Sequence, residues 1–170
     1  MSELLDWLQF VLSPQMINGL SIGVAVILMA LGLTIIFGLL DVINMAHGEF
    51  YAMGAYLGFV LLAAGIPFWW ALALVPLAMM LVGYAAQRVL VQRVFDSKDR
   101  HTLTLLLTFG LGLVLEDALA IIFGANPQRV EAPISGASEF LGLIFPNYRL
   151  FVMIFGGLLI VAVYLIVYRT

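Results

Sequence analysis

Asn44, His47 and Glu49 stand close together between two apolar runs, with Asp41 just before them and Gly38 and Gly48 interrupting the pattern around them. In hydrocarbon, an amide, an imidazole and carboxylates are expensive unless they face an interface, one another or a protein-lined cavity. This polar knot is therefore the first candidate for a path or gate. An imidazole can carry a proton near neutral pH. No second relay group stands near His47 in the sequence, however, so a structural or gating role fits it better than proton shuttling.

A second polar pattern lies further along. Thr104, Thr108, Gly112 and Glu116 recur every fourth residue and make a slowly drifting stripe on one side of an apolar helix. The threonine hydroxyls can be satisfied by their own backbone. The neighbouring carboxylates Glu116 and Asp117 are costly in a membrane unless paired, protonated or wet. Glu116 is accordingly a candidate for the polar side of a pathway, and Asp117 for an acid reaching the outer surface. Thr108 and Glu116 thus join Asn44, His47 and Glu49 as candidate path or gate residues. Gly19–Gly23 and Gly54–Gly58 are small-xxx-small pairs, which let helices approach closely. Asn18, Ser21, Ala25 and Gly32 add a thin face on the first apolar run, and packing in a bundle accounts for it more simply than solute contact.

Other chemistry is poorly provided for. The chain contains no cysteine and only His47 and His101 as histidines, so thiol catalysis, disulfides and a metal site are not expected. No nucleophile–base–orienter set and no phosphate-binding glycine loop is present, so no catalytic residue is assigned and no enzyme is expected. A net charge of −3 without a basic tail argues against nucleic acid as a partner.

The elements that must position these residues are membrane helices. The chain is 64% hydrophobic and 10% charged, where soluble domains run to about 45–50% and about 25%. The fold class expected is all-α, a polytopic transmembrane bundle. A spanning helix needs about 20 mostly apolar residues. Five stretches come near this: Met16–Leu40, Phe50–Gly65, Pro67–Val89, Thr102–Gly124 and Leu150–Tyr168. The second is short, and it reaches full length only by starting at Asn44 and carrying the polar knot inward. Residues 41–49 are thus either a plain cytoplasmic turn or a broken helix entering the bilayer, as in transporters whose sites are built from discontinuous helices.

Arg88, Arg93, Lys98 and Arg100 are four of the seven basic residues, and they mark the loop at 90–101 as cytoplasmic. Counting spans from it puts the N-terminus outside, a periplasmic loop at 125–148, and Arg169 inside. That outer loop has three prolines and two glycines and is expected to be irregular. Residues 1–15 read as an interfacial amphipathic segment anchored by Trp7 and ended by Pro14. No positively charged n-region precedes them, so the first apolar run is expected to stay as an anchor.

Residues 18–58 resemble the N-terminal signature of the branched-chain amino acid ABC transporter permease family. The matching elements are Asn18-Gly19, Gly23, Ala30-Leu31-Gly32-Leu33-Thr34, Gly38, Ile43-Asn44, Ala46-His47-Gly48-Glu49 and Gly54-Ala55-Tyr56. The likeness continues more loosely through Gln87–Arg93, Thr104–Glu116 and Tyr168-Arg169-Thr170. The resemblance implies a bacterial inner-membrane subunit of a binding-protein-dependent importer. Its partners would be a second related permease, two cytoplasmic ATPase subunits, a periplasmic binding protein and membrane lipid. ATP would be bound in the partner subunits, with no cofactor in this chain. Family members run longer, with the ATPase-coupling loop and further helices following the position of Thr170. The chain is therefore expected to correspond to the N-terminal half of a permease, as a fragment or as a truncated product. The function expected is passage of branched-chain or related amino acids by alternating access. The alternatives are a permease of the same family for urea or short amides, a membrane scaffold, or a non-transporting remnant.

Overall fold

The computed structural model describes residues 13–124, 126, 128, 130, 132–140 and 143–169. The chain forms α1 (Ser13–Leu40), α2 (His47–Ala63) and α3 (Phe68–Ala86), then a π-helical turn (Gln87–Val91) and a short α4 (Gln92–Phe95). These are followed by α5 (Arg100–Phe123), an antiparallel hairpin of β1 (Ala137–Phe140) and β2 (Leu143–Pro146), and α6 (Asn147–Arg169). The all-α reading holds but for the hairpin. Among the described residues, four helical runs are long and apolar enough to cross a membrane: Pro14–Gly38, Phe68–Val94, Arg100–Phe123 and Asn147–Arg169. The fifth expected span corresponds to α2, which at 17 residues is the short one. Only 6% of the most apolar window of each long helix is buried. Ile121, Tyr168 and Trp70 are examples of large apolar side chains left facing outward. Such a surface is stable in lipid and not in water.

The chain divides into two compact units, Met1–Gly32 with Ala132–Thr170, and Leu33–Glu131. In the first, α6 packs on α1 at Gly156. A Cβ there would overlap the side chain of Val24, with Leu28 close behind. Gly156 is thus a small-residue contact that no paired-glycine pattern marks in the sequence. Ser21, buried on α1, donates to the carbonyl of Asn18 at 2.9 Å. The outer loop is not irregular throughout. Asn147 ties the hairpin to the start of α6: its N–H donates to the Gly136 carbonyl at 3.1 Å, and its side chain accepts from the Ser138 hydroxyl at 2.7 Å. The expected interfacial segment 1–15 lies outside the described residues as far as residue 12. Ser13 and Pro14 already belong to α1, so Pro14 sits in a first helical turn, where its missing N–H matters little.

In the second unit, α1 stops because Asp41 takes a left-handed conformation, φ 54, which aspartate tolerates better than most residues. Residues 41–46 then run without helix to His47. At the far end of α2, Gly65 at φ 82 turns the chain and donates to the Leu62 carbonyl, and Pro67 opens α3. α3 returns antiparallel to α2, with Gly54 facing Val75 and Met79, and Gly58 facing Val75. Helix continues through the π-turn to Phe95, so the loop expected at 90–101 shrinks to the residues between Phe95 and Arg100. The positive charges there sit largely on helix, because Arg88 and Arg93 follow directly from the apolar run of α3 without a breaker between them. Tyr56 stacks on Phe123 with ring centroids 4.3 Å apart. Ala46 and Glu49 lie at Gly112. α2 and α5 therefore run in the same direction.

Candidate functional site

The site grows from residues 41–46, the link between α1 and α2. Its contacts descend along α5 in order. Asp41 meets Arg100 at 2.7 Å and His101 at 3.4 Å. Met45 donates its N–H to the Thr108 hydroxyl at 3.0 Å, and that hydroxyl lies 3.1 Å from the Ile43 carbonyl. Ala46, wholly buried, rests beside Gly112. From Arg100 to Gly112, α5 rises about 18 Å, and a link of this length reaches about 20 Å when nearly extended. The link, coil at 41–44 and a turn at 45–46, lies along the first half of α5, and the short helix α2 begins beside the middle of its neighbour.

Local chemistry explains the path. The Asn44 side-chain oxygen accepts from the N–H of Ala46 at 3.1 Å, a turn that asparagine makes with its own backbone. The His47 N–H lies 3.4 Å from the Asn44 carbonyl, and Phe50 donates to Ala46, which starts α2. Glu49 falls in the first turn of α2, where the helix dipole favours an acid. On α5 the buried face is Thr104, Thr108 and Gly112, the predicted stripe. Its small residues let the link's backbone close in.

Link, helix and π-turn border a half-open cavity of about 490 Å³. Its apolar wall includes Ile36, Val42, Phe50, Met79, Val91 and Leu111, while Asn44, His47, Tyr84, Gln87 and Thr108 supply polar groups. Apolar walls with a few convergent polar groups are what a small-molecule site usually offers. Among the described residues, no Asp, Glu, Lys or Arg lines it. Of the sequence-predicted candidates, the cavity brings together Asn44, His47 and Thr108. Glu49 lies apart, with its Cγ beside Gly112, and Glu116 is exposed further along α5. A Cβ at Gly19 or Gly23 would meet nothing within 4 Å, whereas Gly54 and Gly58 lie against α3. Tyr84 and Gln87 were missed in the sequence. The available signal was an amide inside an apolar run, at what proves to be a π-turn, a device frequent at functional sites. Among the described residues, no group of His, Asp and Glu could hold a metal ion.

Comparison with known proteins gives a consistent picture. The family model described as branched-chain amino acid transport system / permease component matches residues 15–170. The high-affinity branched-chain amino acid transport system permease protein LivH of Escherichia coli (strain K12) is 29% identical over 131 residues, 72% of this chain and 42% of that protein. The permease protein BraD of the corresponding system in Pseudomonas aeruginosa is 28% identical over 146 residues, 80% of this chain and 45% of that protein. The chain thus spans about half the length of the curated relatives it matches. No solved structure matches it significantly.

Proposed function

We propose, from the premise that this chain belongs to the branched-chain amino acid transport system permease family, that the cavity beside residues 41–46 is part of the path along which an importer moves aliphatic amino acids across the bacterial inner membrane. The observation that carries the reading is the meeting of Asn44, His47 and Thr108 in an apolar-walled cavity beside a broken helix entry. Such walls suit an aliphatic side chain. Amide, imidazole and phenol groups can hydrogen-bond a passing solute. Weak binding is what a path requires, since the solute must leave as readily as it enters.

The chain performs no covalent chemistry in this reading. ATP binding and hydrolysis in two partner ATPases would alternate the exposure of the path, a second related permease would complete it, and a periplasmic binding protein would deliver the solute. The basic cluster from Arg88 to Arg100 supports a reading with that end of α5 in the cytoplasm. The N-terminus is then outside, and the cavity opens in the inner half of the membrane.

Uptake of radiolabelled leucine by cells expressing the natural-length protein tests this. Replacing Asn44 and His47 together by Ala should abolish uptake while the protein still accumulates in the membrane. Uptake at the parent rate would remove the site from the path.

A further inference from the structure

The backbone of residues 41–46 is held locally at its two ends: Asp41 donates to the Phe37 carbonyl, Ala46 to the Asn44 side chain, and the Asn44 and Ala46 carbonyls accept from His47 and Phe50. The Met45 N–H and the Ile43 carbonyl both converge on one atom, Thr108 Oγ1, at 3.0 Å and 3.1 Å. Thr108 is only 2% exposed, so water has little access to replace this atom. The hydroxyl has a single proton, and three carbonyls compete for it: Thr104 at 2.8 Å, Ile43 at 3.1 Å and Leu105 at 3.2 Å. Its donor is therefore committed to backbone, and one of its lone pairs is committed to Met45. Gly112, one turn on, leaves the flat seat on which Ala46 rests. Asn44 and His47 flank Met45 and Ala46, and both reach the cavity.

From this we infer that Thr108 is a positioning residue: its hydroxyl clasps residues 43–45 to α5 and so sets Asn44 and His47 in the cavity wall. It acts on the solute through those two side chains and not by touching it. The proton's choice between Thr104 and Ile43 lets the clasp tighten or slacken with no change of rotamer. The inference rests on the reading of the cavity as part of the transport path, and its test separates the two.

These 170 residues hold no cysteine, so a thiol introduced among them, in a natural-length background made cysteine-free, is a unique reporter. Ala86→Cys places it on a cavity wall outside the link. In native membranes, with the protein at its natural length, the labelling rate of this thiol by a membrane-impermeant maleimide is measured alongside leucine uptake. Thr108→Val keeps the shape and deletes the hydroxyl; Thr108→Ser keeps the hydroxyl. Met45→Pro removes the same hydrogen bond from the other side. Val and Pro should each change the labelling rate at least fivefold, and Ser should stay within twofold of the parent. In the uptake assay, Val should raise KM more than it lowers kcat. Parent-like labelling in both Thr108→Val and Met45→Pro would overturn the inference, as would a Ser variant that behaves like Val. Met45→Pro decides the matter if Thr108→Val does not accumulate. Shifted labelling with unchanged uptake would support the clasp and sink the path.

Discussion

Arg100 Nη2 lies 2.7 Å from Asp41 Oδ2, although 59 residues separate them in the chain. The pair pins the end of α1 to the start of α5. Its side chains are 39% and 52% exposed, so the attraction is worth no more than about 1 kcal/mol and falls with added salt. The backbone matters more, because Asp41 holds φ 54. Asp41→Asn should therefore lose the ion pair and stay within about 1 kcal/mol of the parent. Asp41→Val should cost about 1–2 kcal/mol more, since a β-branched residue resists the left-handed region. Thermal unfolding in detergent measures both.

Gly112 sets how closely the link approaches α5. A Cβ would stand 3.6 Å from the Ala46 Cα, an ordinary contact. Gly112→Ala should therefore be tolerated within about 1 kcal/mol. Gly112→Leu should displace the link at about 1–3 kcal/mol, the usual range for overpacking. Leucine uptake should fall with the Leu variant and persist with the Ala variant.

Gly156 allows even less room. A Cβ there would overlap Val24, so Gly156→Ala should already loosen α6 from α1, at about 1–3 kcal/mol. Val24→Ala in the same chain should recover much of the loss, because it removes the obstructing methyls. Melting temperatures of the single and double variants check the coupling.

The Tyr56–Phe123 stack ties the second half of α2 to the end of α5, with Phe59 edge-on to the same ring at 6.4 Å. Phe123→Ala should destabilise the protein by at least the about 0.5–1.5 kcal/mol of an aromatic pair, whereas Phe123→Leu should retain most of the packing. Protease sensitivity of the segment after α5 offers a second readout.

Much of this was legible in the residues. The polar knot in an apolar run marked the break after α1, because hydrocarbon penalises polar groups wherever they fall. The four-residue stripe marked the face of α5 that turns inward. The reason for that face was not legible, because the Thr108–Met45 bond joins residues 63 apart and periodicity reports only near neighbours. Glu116 belongs to the same stripe and yet is exposed. A spacing of four drifts around a helix of 3.6 residues per turn, so the last member leaves the buried face. The π-turn at Gln87 was hidden for a related reason, since one irregular turn barely disturbs the pattern of a long apolar run. The prolines and glycines of the outer loop signalled turns correctly, but they masked the short hairpin between them.

The non-helical entry leaves α2 with about 26 Å of helical rise, beside a neighbour of about 36 Å. A bilayer must thin where it meets the shorter element, or the protein must bend to hide it. In a bilayer that fits α5, α2 falls short by about 10 Å, and that mismatch is carried on one side of the described chain.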